Sequence, residues 1–378
     1  GEGIYLNTWN NTGDLYVRVS GRNGAYDATT PFTLQVWHRP GECDTVTDDL
    51  PETSLTAIAG GYKTIILTDM GRMAGTDAEK QALQAKLETL GARPEVAGGI
   101  VDVGADLQVT AANAQADDKA PGYNCPYAKN LVAGAIVDIV ERYRALNPLE
   151  YVVLVGNDNV LPFFRYPDNA LLGHESNYVP PVLDHTASQA SLRLGYVLSQ
   201  DGYGAQHNVS LNANDFPLPD LAVGRLVETP GEVTGVIDAY LSTPDGVVTP
   251  GSALVTGYDF VTDTAEAVQS ELEAGMAPGA GIDTLISPRD LAPFDPATWT
   301  ADDLGALVLN NRYDVAYLAG HFSANSALAA DYTTSLLTTD LAGSPVDMRN
   351  AIFFSAGCHS GYNIVGEHAV PGVTLELD

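Results

Sequence analysis

The chain has 378 residues, with 18 Lys+Arg against 48 Asp+Glu and a formal net charge of −30. With 45% hydrophobic and only 17% charged residues it is too apolar for a disordered acidic tail, so the charge sits on a folded surface. That surface repels phosphates, which argues against non-specific binding to nucleic acid or anionic lipid, and no apolar run reaches the roughly 18–20 residues that would span a membrane. At about 150 residues per domain, two or three domains are expected.

The sequence begins Gly1-Glu2-Gly3-Ile4-Tyr5, with no basic n-region or apolar h-region, and reads as a point inside a longer precursor. Residues 14–20 (DLYVRVS) and 31–37 (PFTLQVW) alternate apolar and polar around a Gly- and Asn-bearing turn, the pattern of an antiparallel hairpin. Two strands alone are marginal in water, so residues 1–50 are expected to be the last strands of a β-sandwich.

From about residue 55 apolar runs alternate with helical stretches. A strand is predicted over 62–68 (YKTIILT). An amphipathic helix follows over 76–90, with Thr76 and Glu79 at capping-box spacing. Further elements follow in turn: a strand over 96–103, a long helix from Pro126 to about 146, the continuous apolar strand 151–155 (YVVLV), a strand over 220–226, and a helix over 230–241. After the Pro/Gly-rich link 243–251 the alternation restarts, with strands predicted over 253–256, 284–287, 314–319 and 351–355 and helices over 263–274 and 300–309. The fold class is therefore α/β: two consecutive units, 55–245 and 250–378, with mainly parallel sheets covered by helices on both sides.

The three cysteines are Cys43, Cys125 and Cys358. Cys43 and Cys125 stand in Pro-flanked loop contexts, as a disulfide pair or as two buried free thiols; if they pair, Cys358 is left over. Few lysines, strong acidity and Asn/Thr/Gly-rich loops are the composition of an extracellular or cell-surface protein. The acidic loops 157–159, 212–215 and 302–303 offer oxygen ligands for a structural Ca²⁺, though none has the ordered spacing of an EF-hand loop. There is no Walker loop, GxGxxG, CxxC pair or HExxH, so nothing in the sequence calls for a cofactor in the chemistry.

In an open parallel sheet, functional side chains collect just past the carboxyl ends of strands. Two such ends carry reactive groups: Val315-Ala316-Tyr317-Leu318-Ala319-Gly320-His321 and Ile352-Phe353-Phe354-Ser355-Ala356-Gly357-Cys358. The 37 residues separating His321 from Cys358 are enough for a crossover that makes the two strands neighbours. A thiol beside an imidazole is a nucleophile with its proton acceptor.

Strand–Gly–His followed by strand–small residue–Cys resembles the signature of the caspase-like cysteine peptidases, and the chain is most similar to the secreted, bacterial gingipain-like family within them. Tyr151–Asp158 with Leu161-Pro162 resembles that family's strand–Gly–acidic–Pro segment. Ser199-Gln200-Asp201-Gly202-Tyr203-Gly204, followed by residues 219–226 (PDLAVGRL), resembles its "SD-x-x-YG … GR" stretch. The first forty residues resemble the end of the β-sandwich appended to secreted peptidases. The resemblance implies an endopeptidase with Cys358 as nucleophile, His321 as general base and Asp259 orienting His321. It also implies amides at Gly320, Phe322 and Cys358 as the oxyanion hole, and Asp263 near the position that receives a basic P1 side chain. Phe322 stands where the family has Gly, and His359 adds a second imidazole. The family continues past its Cys with further strand and helix. The second unit is therefore expected to be incomplete, its partners being peptide or protein substrates and the rest of its own precursor. The alternative from a different class is a peptidase-like module without turnover, serving as a surface or assembly protein.

Overall fold

The computed structural model describes residues 16–19, 21, 26–31, 33–36, 43, 45–117, 125–168, 187–211, 214–289, 291, 295–323 and 325–360. The hairpin expected over 14–20 and 31–37 lies partly outside them. Its described residues, 16–19 and 33–36, are exposed and belong to no strand.

Two four-stranded parallel sheets organise the rest. The first is built from β1 (Thr64–Thr68), β2 (Gly98–Asp102), β3 (Tyr151–Val155) and, after four intervening strands, β8 (Ala222–Leu226), in the order β2-β1-β3-β8. The second is built from β9 (Ser252–Gly257), β10 (Gly281–Ile286), β11 (Val315–Ala319) and β15 (Ile352–Ala356), in the order β10-β9-β11-β15. Each sheet thus has its first strand inside, the second to one side, the third to the other, and the fourth beyond the third. Of the strands between β3 and β8, β4 (Phe164–Pro167) pairs with β5 (Tyr196–Ser199), and β6 (Ala205–Leu211) with β7 (Asn214–Pro219), both antiparallel. Between β11 and β15 lie β12 (Phe322–Ser323), β13 (Ser326–Leu328) and β14 (Ser335–Leu337), a small antiparallel sheet.

The local chemistry accounts for these elements. All five residues of β1 (TIILT) are buried, which requires cover on both faces of the sheet. Helix α1 (Asp77–Gly91) begins at a complete capping box, with the Thr76 side chain accepting from the Glu79 N–H and Glu79 accepting from the Thr76 N–H. Helix α2 (Leu107–Asp117), which the sequence reading did not anticipate, packs beside α3 (Pro126–Arg144), while α1 packs beside α5 (Pro230–Leu241). The stretch 187–193 forms a further short helix, α4 (Ala187–Arg193). One core gathers Ile65, Leu67, Leu83, Val132, Ile136 and Leu154 between these layers. A second core gathers Leu254, Tyr258, Trp299, Leu304 and Ala316 between β9, β11 and α7 (Ala301–Val308).

Cys43 and Cys125 form a disulfide, with Cα atoms 5.1 Å apart, which leaves Cys358 as a free and exposed thiol. The second sheet departs from the expectation of full helical cover. Its middle strand β9 is buried, but every residue of β15 is exposed, including Phe353 and Phe354. Among the described residues β15 pairs only with β11, so it is an edge strand.

Candidate active site

Strand register brings His321 and Cys358 to one place. The last paired residues of β11 and β15 are Ala319 and Ala356. His321 and Cys358 each lie two residues further on, at the carboxyl ends of adjacent parallel strands about 4.8 Å apart. Both are exposed at the sheet edge. Among the described residues no hydrogen bond joins the Cys358 Sγ to the imidazole; catalytic contacts of this kind commonly close only when substrate is bound.

The glycine before each residue is required by packing. A methyl group on Gly320 would collide with the ring of Tyr258, and one on Gly357 with the ring of Phe322. Phe322, which departs from the family's Gly, therefore lies against the backbone immediately before Cys358. His359 has φ 58°, a left-handed conformation uncommon for residues with a side chain, and turns the chain directly after the thiol.

The imidazole sits in an aromatic frame that the sequence did not reveal. Its ring centroid is 5.5 Å from Tyr258 in an edge-on arrangement, 5.1 Å from Phe260 and 5.8 Å from Tyr332. Tyr258 is fully buried. It donates from its hydroxyl to the Leu328 carbonyl and packs edge-on against Trp299 at 5.6 Å. Trp299 in turn donates its indole N–H to the Gly257 carbonyl at 3.1 Å. Burial pushes the Tyr258 phenol well above its usual range, so it stays a neutral donor. The Leu328 N–H donates to the His321 carbonyl at 3.1 Å, tying the backbone of His321 to β13.

Asp259 follows β9 as expected, but no described hydrogen bond links it to His321. Its Oδ1 accepts from the Tyr332 hydroxyl at 3.3 Å, and Tyr332 is the residue whose ring lies beside the imidazole. Burial first, and Asp259 second, raise the Tyr332 phenol, which keeps its proton in place for that bond. Of the amides expected to bind an oxyanion, the Gly320 N–H is directed at the Ala356 carbonyl at 3.5 Å, within the strand ladder. The Cys358 N–H has no acceptor among the described residues. Asp263 lies in the first turn of α6 (Thr262–Gly275), exposed, with Arg289 3.8 Å away. A cation already faces it.

The matching edge of the first sheet is closed by polar packing. Asp158 is fully buried and accepts from both Arg165 terminal nitrogens at 2.7 and 2.6 Å, from Ser188 at 2.6 Å and from the Phe163 N–H at 2.8 Å. Burial opposes its charge, but Arg165 outweighs that and holds its pKa down at about 2. Asp303 accepts from Thr300 at the start of α7. These contacts account for two of the three acidic loops read as candidate Ca²⁺ ligands. No group of three or more His, Cys, Asp or Glu placed to hold a metal occurs among the described residues. No described helix is long and apolar enough to cross a membrane.

Comparison of the chain with protein-family models, curated proteins and solved structures finds no match.

Proposed function

We propose that this chain is a cysteine endopeptidase in which Cys358 attacks and His321 moves the proton. The observation that carries the proposal is the placement of these two residues at equivalent positions past the paired ends of β11 and β15. In the reaction, the Cys358 thiol gives its proton to His321 and the thiolate adds to the scissile carbonyl carbon. The Cys358 N–H faces the developing oxyanion. As the C–N bond breaks, the imidazolium returns the proton to the leaving amine, leaving a thioester. Water, deprotonated by His321, then adds to the thioester; the released acid and the reprotonated thiol complete the cycle. No cofactor is needed for these steps.

Asp259 is a positioning residue in this scheme, acting through Tyr332. The Cys43–Cys125 disulfide and the acidity fit a secreted or surface protein, since such bonds persist in oxidising compartments. The gingipain-like resemblance of the sequence motifs motivates this reading, and a structural Ca²⁺ belongs to it as part of the extracellular setting.

A second reading, a peptidase-like module without turnover, draws on Phe322. Its ring lies against Gly357, beside the backbone where an oxyanion would be held. Hydrolysis of a denatured-protein substrate by the purified chain separates the two. The peptidase reading expects cleavage that is lost, at least a thousandfold, in both Cys358→Ala and His321→Ala. Cleavage that persists in Cys358→Ala would refute it.

A further inference from the structure

An apolar cavity of about 160 Å³ opens between α7, the β12–β14 sheet and β15; neither His321 nor Cys358 lines it, but Phe322 and Ser360, one and two residues past them, do. Two of its walls belong to the elements that carry the reactive residues: Phe322, next to His321, and Phe353, Ser355 and Ser360, which bracket Cys358. The opposite walls come from Leu304 on α7 and Leu336 on β14. The volume is roughly five times the ~30 Å³ share of one water, room for a single side chain of Leu or Met size. Among the described residues, no Asp, Glu, Lys or Arg lines it. Asp263, the acid expected to receive a basic side chain, is not part of this wall and faces Arg289. A shallower hollow of about 610 Å³ is lined by residues 93–95 and 241–245, all from the first unit.

We infer that this cavity is the subsite for the substrate side chain next to the scissile bond, and that it selects uncharged apolar side chains over Lys or Arg. The inference rests on the peptidase reading above and replaces the basic preference that the sequence suggested. Its physical basis is desolvation. An ammonium or guanidinium entering this cavity would leave water without meeting a counter-charge, whereas an aliphatic side chain would exchange water for Leu304, Leu336 and Phe322. The lining of the cavity by Phe322 and Ser360, one residue past His321 and two past Cys358, points to a substrate side chain as its occupant.

The test uses two acyloxymethyl ketone probes that differ only in carrying Leu or Lys beside the ketone. Sγ of Cys358 displaces the acyloxy group as a carboxylate and forms a thioether, which mass spectrometry locates. The Leu probe is expected to label Cys358 at least tenfold faster than the Lys probe. Leu341→Asp places an acid at the cavity wall, at a position already 41% exposed and so tolerant of charge, and should narrow that ratio at least fivefold. Equal rates, or faster labelling by Lys, would overturn the subsite assignment alone and would mean that something else, such as another part of the chain, fills the cavity. Failure of both probes to label Cys358, with iodoacetamide labelling indifferent to His321→Ala, would overturn the peptidase reading and the inference together.

Discussion

Gly320→Ala tests whether the aromatic frame around His321 is rigid. The added methyl group points into the Tyr258 ring, and that ring has nowhere to retreat. Its hydroxyl is held by Leu328, its edge packs against Trp299, and it is fully buried. Gly320 itself does not have a left-handed φ, so the cost arises from collision and not from backbone strain. Overpacking of this kind costs about 1–3 kcal/mol, and replacing Gly returns about 0.4–1 kcal/mol through the unfolded chain, leaving a net loss of about 1.3 kcal/mol at the middle of those ranges. Urea unfolding followed by Trp fluorescence measures it. In a Tyr258→Leu background, where the ring is gone, the same substitution should cost at least about 1 kcal/mol less. A cost below about 0.5 kcal/mol, or additive behaviour of the two changes, would refute the argument that Tyr258 is fixed against the Gly320 backbone.

Reduction of the Cys43–Cys125 disulfide, which spans 82 positions, should lower stability by up to about 4.5 kcal/mol on the chain-entropy account. Denaturation midpoints with and without reductant, alongside Cys43→Ala/Cys125→Ala, check this, and unchanged midpoints would contradict it. Glu228 is held by burial at a raised pKa of about 7, with Asn157 donating to it and Glu232 and Arg225 nearby. Its folded form binds a proton that the unfolded chain has already lost, so stability should fall as pH rises from about 4.5 to 7, by on the order of 2–3 kcal/mol. Glu228→Gln should flatten that part of the pH–stability curve, and an unchanged slope would count against the assignment. Phe260→Ala removes an exposed ring that packs on His321, where aromatic pairs contribute about 0.5–1.5 kcal/mol. Alkylation of Cys358 should slow about two- to tenfold with the unfolding midpoint nearly unchanged; an unaltered rate would mean that the ring does not position the imidazole.

Much of the parallel architecture was legible because buried parallel strands are written as short continuous apolar runs. Tyr151–Val155 and the helix Pro230–Leu241 fall where the pattern put them. Thr76 and Glu79 marked a helix start because their side chains satisfy orphan amides within three residues of each other. The placement of His321 and Cys358 at adjacent strand ends was legible too, because both follow apolar runs at the same offset. What the sequence did not show depends on contacts distant along the chain. The Tyr332–Asp259 hydrogen bond joins residues 73 positions apart. The packing of Phe322 on Gly357 depends on the β12–β13–β14 sheet, whose strands of two or three residues are too short to carry a period. Helix α2 escaped notice because its sequence, LQVTAANAQAD, has almost no apolar stripe; its buried residues are Val109, Ala112, Asn113 and Ala116. Asp263 read as a specificity acid from its position alone, and the structure supplies the facing Arg289.

The most direct test of the central claim is the rate of iodoacetamide alkylation at Cys358, located by mass spectrometry, in the native chain and in His321→Ala. The account predicts rapid labelling of Cys358 in the native chain, slowed at least tenfold when His321 is removed. Equal rates in the two proteins would show Cys358 to be an ordinary exposed thiol and would contradict the pairing on which the proposed chemistry depends.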